Sequence, residues 1–271
     1  MTASDSLPSA WEPLTPRGVA AFARAGTTRL VLVQFIVALV VAGAVVWLLY
    51  DGWFPTVLEA IKQMPAEGEI RSGKLNWRGE SPRLLAEGRF LAFSVDVDHA
   101  GGIRSTAHLQ LEFAKDGIVG HSLFGYKNGH YPPSGIIPFN RTELLPKWGA
   151  WQPALLALTA VGVVVWLFVS WLVLATVYAG PVWLAGFFAN RDLSLRASWK
   201  LAGAALLPGA LAMAGAILLY DFGALDLVQM TFVFGAHLVL GWIYLGVSPL
   251  FLPRPSAVGA GGRNPFAPPA G

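Results

Sequence analysis

Long uncharged apolar runs alternate with polar stretches along this chain, and the first run sets its class. Residues 30–50 are 21 consecutive positions without a charge, bounded by Arg29 and Asp51. A helix of that length rises ~30 Å, the thickness of a bilayer's hydrocarbon core. Further uncharged runs cover 148–190, 201–220 and 227–253. The pattern predicts a membrane α-helical fold. Four transmembrane helices form a bundle, with a small β-rich extracytoplasmic domain inserted between helices 1 and 2.

Span one is 30–50, with Trp47, Tyr50 and Trp53 as an aromatic belt at its far end. Its length and the 29 residues before it fit a retained signal anchor rather than a cleaved signal peptide. The run 148–190 is 43 residues, too long for one crossing. Gly180-Pro181 predicts a break, because proline lacks the N–H and clashes with the preceding turn. Span two is therefore placed at 152–178, and 182–188 becomes an interfacial or re-entrant piece. Span three is 200–220, kinked at Pro208-Gly209, and span four is 228–248. Residues 1–29 read as a polar cytoplasmic arm with Pro8, Pro13 and Pro16, and 251–271 as a disordered cytoplasmic tail.

Residues 51–147 differ in kind, holding most of the acids and four of the five histidines. Pro55 to Met64 suits a short amphipathic helix with Val57, Leu58 and Ile61 on one side. Leu91 to Asp98 and Ala107 to Phe113 alternate apolar with small or polar positions, the mark of half-buried strands. Ile118 to Phe124 predicts a third strand and Ile70 to Trp77 a fourth. His99-Ala100-Gly101-Gly102 and Lys115-Asp116-Gly117 supply turns. Pro132, Pro133, Gly135 and Pro138 mark a loop leading to the next span.

Charge then orients the chain. Bases cluster at 17–29, at Arg191, Arg196 and Lys200, and in the tail at Arg254 and Arg263, whereas 221–227 has none. With four crossings these basic segments share one side, which the positive-inside rule makes cytoplasmic. The localisation expected is the cell (inner) membrane, with both termini cytoplasmic and 51–147 outside. Charged residues make up only 13% of the chain against ~25% in soluble domains. The net charge of +3 comes without a dense basic block, so nucleic acid is not an expected partner. There is no cysteine, which removes disulfides and thiolate chemistry together.

The densest polar cluster is Asp96, Asp98 and His99. It reads either as oxygen ligands for a hard cation or as a strand end whose solvated face carries Ser94, Asp96 and Asp98. His99, His108, His121 and His130 read as a zinc set, a pH sensor or surface residues, with His108, Gln110 and Glu112 on a wet face. His237 is the only ionisable group deep in a span, with Gly241 and Tyr244 on the same helical face. It is either functional or a neutral imidazole bonded to Ser170, Thr159 or Gln34. Apart from Lys200 at the very start of span three, the spans hold no Asp, Glu, Lys or Arg, which opposes ion-coupled transport. Ala202, Ala205, Gly209, Ala212 and Ala216 form a small-residue stripe along span three, suited to close helix packing within the chain or with another copy. Asn140-Arg141-Thr142 matches a glycosylation acceptor by chance.

Two stretches carry a family likeness. One is Glu69-Ile70-Arg71-Ser72-Gly73-Lys74-Leu75 with the later Val95-Asp96-Val97-Asp98-His99-Ala100-Gly101. The other is Phe187 to Arg196 running into Ala205-Leu206-Leu207-Pro208. With the span order, they resemble a group of bacterial four-span membrane proteins of unknown function related to the Yip-type membrane domain. Eukaryotic Yip-type proteins work with Rab GTPases in vesicle traffic. Asp98-His99 stand where the pattern has a small polar pair. The resemblance implies the four-span fold; the family has no established catalytic residues, so none is carried over.

The functional expectation is a non-enzymatic envelope interaction, scaffold or sensing component acting through the extracytoplasmic domain. A small-solute or lipid-handling component with a path near Pro208, His237 and Tyr244 is the alternative, and an enzyme at the outer membrane face the third reading. No cofactor or metal is assigned. The expected partners are the lipid bilayer and a protein or second copy, bound through helix 3 and the extracytoplasmic domain.

Overall fold

The computed structural model describes residues 11–254. They fall into two compact units. One takes the residues up to Val45 and from Ala160 onward; the other is Val46–Thr159. Four helices are long and apolar enough to cross a membrane: Thr27–Gln63, Arg141–Phe188, Leu195–Asp221 and Leu227–Phe251.

In the first unit, the stretch read as a polar arm contains a buried helix, α1 (Pro16–Phe22). Pro16 starts it, where a missing N–H costs nothing, and the Thr15 hydroxyl accepts from Gly18 N at 3.0 Å. Val19, Ala20 and Phe22 are fully buried, because apolar residues in this arm find a partner in the bundle. Helix α2 (Thr27–Leu48) does not stop at Tyr50. A π-turn over Leu49–Trp53 carries it directly into α3 (Phe54–Gln63).

Helix α4 (Arg141–Phe188) corrects the predicted break at Gly180-Pro181. It runs unbroken through Pro181 for 48 residues, ~72 Å. Residues 182–188 are helix rather than a separate re-entrant piece. Long apolar helices tolerate proline where neighbouring groups satisfy the carbonyl it frees.

Span three does divide. Helix α5 (Leu195–Ala205) gives way at Leu206 to α6 (Leu207–Asp221), with Pro208 in the first turn of the second piece. Ala202, Ala205, Gly209 and Ala216 are buried, whereas Ala212 is exposed and lies off the packed face. A Cβ built on Gly209 would lie 2.7 Å from the His237 carbonyl, so α6 and α7 (Leu227–Val247) approach backbone to backbone there. Asp226 and Gln229 close a capping box at the start of α7.

Residues 251–271 were expected to be a disordered tail, but its first residues are ordered. Ser248–Phe251 form a 3-10 turn with Leu252 1% exposed, and Arg191 donates to the Leu252 carbonyl at 2.7 Å. The rest of the expected tail lies outside the described residues.

The second unit holds two sheets. In one, β1 (Gly68–Arg71), β2 (Lys74–Trp77) and β8 (Ile136–Pro138) take the order β2-β1-β8. The single strand expected over 70–77 is thus a hairpin, turned by Ser72 and Gly73, both at positive φ. The other sheet takes the order β3-β4-β5-β6-β7, from β3 (Arg83–Glu87), β4 (Leu91–Val95), β5 (Leu109–Phe113), β6 (Gly117–Ser122) and β7 (Gly125–His130). Ala60, Met64, Ile70, Leu75, Leu85, Val95, Tyr131 and Phe139 form the core against α3.

Candidate functional site

The site follows from one pairing. Strands β4 and β5 are parallel, with Leu91 opposite Leu109 and Val95 opposite Phe113. A hairpin cannot join parallel neighbours, so the chain must cross one face of the sheet. Residues 96–108 make that crossing. The turn expected at His99–Gly102 is part of this crossover and does not reverse the chain into an antiparallel strand.

Register places Ser94 beside Glu112, and Gln110 beside His121, all on one face. That face was expected to be solvated. It is covered: Ser94 is 0%, Asp96 2%, Gln110 3% and Glu112 1% exposed. Asp96, Gln110 and Glu112 bond to the backbone or side chains of the crossover, and Ser94 to Gln110. Gln110 donates from Nε2 to Ser94 Oγ at 2.9 Å and to the Ile103 carbonyl at 3.2 Å, and accepts from Ser105 N at 3.0 Å. Asp96 accepts from Gly101 N at 2.9 Å. At the loop's far end, Glu87 accepts from Ser105 Oγ at 2.6 Å and Thr106 N at 3.0 Å. The Ser105 hydroxyl and the Thr106 amide hold the Glu87 carboxyl below its ordinary value.

Glu112 is the centre. His99 Nδ1 contacts its Oε1, Arg104 Nη1 lies 3.4 Å from its Oε2, and His121 Nε2 lies 3.5 Å from the same oxygen. His99 reaches it from a left-handed turn at φ +51°. Glu112 therefore ties the crossover loop to the sheet through an ion-paired, buried carboxylate.

Of the residues singled out in the sequence, His99 and His121 meet at Glu112, while Asp96 anchors the loop beside them. Asp98 and His130 instead line a groove of about 410 Å³ with Lys115, Asp116 and Asn128, which His99 also borders. His108 stacks edge-on to Phe90. Among the described residues no group of three or more His, Asp or Glu is placed to hold a metal ion. A second, more apolar groove of about 640 Å³ is lined by Leu109, Leu111, Ile118, Phe124 and Tyr126.

In the first unit, His237 Nδ1 bonds to the Phe234 carbonyl of its own helix, and none of Ser170, Thr159 and Gln34 is its partner. Gln34 reaches the Gly203 carbonyl instead, at 3.5 Å. The Tyr244 hydroxyl donates to the Leu14 carbonyl, and Pro208 is buried at the α5–α6 break. Asn140 is 7% exposed and caps α4, accepting from Glu143 N and donating to the Gly68 carbonyl, both at 2.9 Å.

Sequence reasoning missed Glu112, Arg104, Gln110 and Glu87 as functional in the fold. The available signal was the thirteen residues between β4 and β5, more than a hairpin turn needs. No protein-family model, curated protein or solved structure matches the chain.

Proposed function

We propose that this is a non-enzymatic multi-pass protein of the cell (inner) membrane, with both termini cytoplasmic. Its β-rich unit faces outward and docks or senses another envelope component. The basic residues at 17–29, 191–200 and 254, set against a loop at 221–227 with acids only, support that orientation.

The observation that carries the reading is the open apolar groove over Leu109, Leu111 and Ile118, left uncovered beside the edge strand β7. On the opposite face β5 is covered by the crossover, which bonds to Gln110 and Glu112. An enzyme reading would need Glu112, His99 and His121 to meet a substrate. Glu112 is 1% exposed and both its oxygens are already engaged, which favours a structural tie. A transport reading through His237 loses support, because that ring bonds within its own helix.

A photo-reactive benzoylphenylalanine at Leu111 in full-length protein, irradiated in cells, tests the proposal. A discrete protein adduct, lost when the probe is moved to the buried Gln110 position, is expected. Irradiation that yields no protein adduct at Leu111 sinks it.

A further inference from the structure

The β6–β7 hairpin turns at Leu123-Phe124, closed by Gly125 at φ +105°. Leu123 is 60%, Phe124 82% and Tyr126 74% exposed. Two-residue hairpin loops favour Asn, Asp and Gly. Two large apolar residues at such a turn serve no local backbone need. Where a sequence breaks a local rule without a packing gain, function is the usual reason.

The place of this tip in its unit says what covers it. Register aligns Leu91, Leu109 and Ser122 at one end of the sheet, so the tip belongs to that end. Gly88 lies there too, bonded to the Leu91 carbonyl at 2.9 Å. A Cβ on Gly88 would fall 2.4 Å from Thr56 Oγ1, in the first turn of α3. Helix α3 continues without interruption from the first membrane-length helix. At the same level Phe54 packs edge-on against Trp148, 4.9 Å between ring centres, with Tyr50 and Trp151 exposed nearby in sequence. Such aromatic residues gather at the headgroup layer. The tip thus sits at the end of the sheet where the chain leaves the bilayer.

Charge and size agree. No acid occurs in residues 117–142, whereas Lys127 stands beside the tip. Three side chains of this kind offer roughly 400 Å², about half of what one partner contributes to a stable protein interface. Lys127 and two glycines in β7 also discourage pairing with another strand. A shallow apolar tip with a flanking cation fits a lipid headgroup boundary.

We infer that the β6–β7 hairpin inserts Leu123 and Phe124 into the headgroup layer of the bilayer that carries the chain, with Lys127 on an anionic phosphate. The contact goes beyond the docking reading, and its failure would leave the Leu111 cross-link untouched. The chain has no cysteine, so one can be added cleanly. Phe124→Cys and, separately, Leu123→Cys would carry an environment-sensitive fluorophore in full-length protein, in nanodiscs of phosphatidylcholine and phosphatidylglycerol. Lys74→Cys, exposed at the start of β2 in the other sheet, is the control. Emission at 124 and 123 should be blue-shifted and roughly halved by shallow spin-labelled lipid, as for a probe ~5–10 Å into the boundary. The control should respond to aqueous iodide alone. Tip probes that behave like the control overturn the inference. So does a blue shift that lipid quenchers leave unchanged, since the tip would then be buried in protein.

Discussion

Glu112→Gln removes the charge at the centre of the crossover while keeping the side chain's volume. The carboxylate is 1% exposed, but none of its three partners is buried: the His99, Arg104 and His121 side chains are 53%, 58% and 25% exposed. Solvent screening therefore limits what each ion pair contributes, to ~0.5 kcal/mol. The charge-assisted bond from His99 adds more, and the amide keeps part of it. The expected loss is about 1.4 kcal/mol, or ~tenfold in the opening equilibrium of the loop. Amide hydrogen exchange reads this directly. The reporters are Gly101, Ser105 and Thr106, whose N–H groups bond to Asp96, Gln110 and Glu87 rather than to Glu112 itself. They should exchange ~tenfold faster in the variant, while Ile70 and Leu75 in the other sheet stay unchanged. If the three reporters change by less than ~threefold, Glu112 does not hold the crossover, and the role assigned to this cluster is wrong.

Gly209→Ala places a methyl 2.7 Å from the His237 carbonyl, a backbone atom that cannot swing aside. It should cost ~1–3 kcal/mol and lower the melting temperature in detergent, whereas Gly215→Ala, with open space around it, should be neutral. Asn140→Ala deletes the α4 cap and the bond to Gly68, a loss of ~1–2 kcal/mol in the denaturation of the β-rich unit, and Asn140→Asp should recover part by keeping the cap. The folded Glu87 carboxyl titrates below its ordinary value of 4.5, so its anchoring is complete above that pH and fades as pH falls through the folded value. Protection of the Thr106 amide, corrected for intrinsic exchange, should drop over that acid window in the wild type and show no such step in Glu87→Gln.

The four helices long and apolar enough to cross a membrane were legible because such a helix leaves one plain mark, a long stretch without charge. Their ends were not. Tyr50 looks like a terminus because Asp51 follows, yet a π-turn absorbs the polar residues and the helix continues to Gln63. Pro181 looks like a break by the rule for soluble helices, but α4 passes through it. Pro208 obeys the rule, for α5 ends at Ala205 and a new helix starts at Leu207. The same residue type thus gives opposite outcomes. What differs is the packing around each proline, which local sequence does not contain: Pro208 is buried, whereas Pro181 is exposed.

The misread face of β4 and β5 has a different cause. Strict alternation over Leu109-Gln110-Leu111-Glu112-Phe113 states only that one side of the strand is polar. It does not state whether water or another part of the chain satisfies that side. Here strand order decides. Because β4 and β5 run parallel, a loop must lie over one face, and a loop carries backbone donors and acceptors that need partners once they are buried. Gln110 and Asp96 supply them, and Glu112 pairs with the loop's His99 and Arg104 side chains, so the polar residues are buried because of their polarity. The histidines first attract notice as free ligands. His99 is held instead by a carboxylate that looked like surface, with His121 Nε2 3.5 Å from the same group, and the chemistry of the unit falls to what the crossover leaves open.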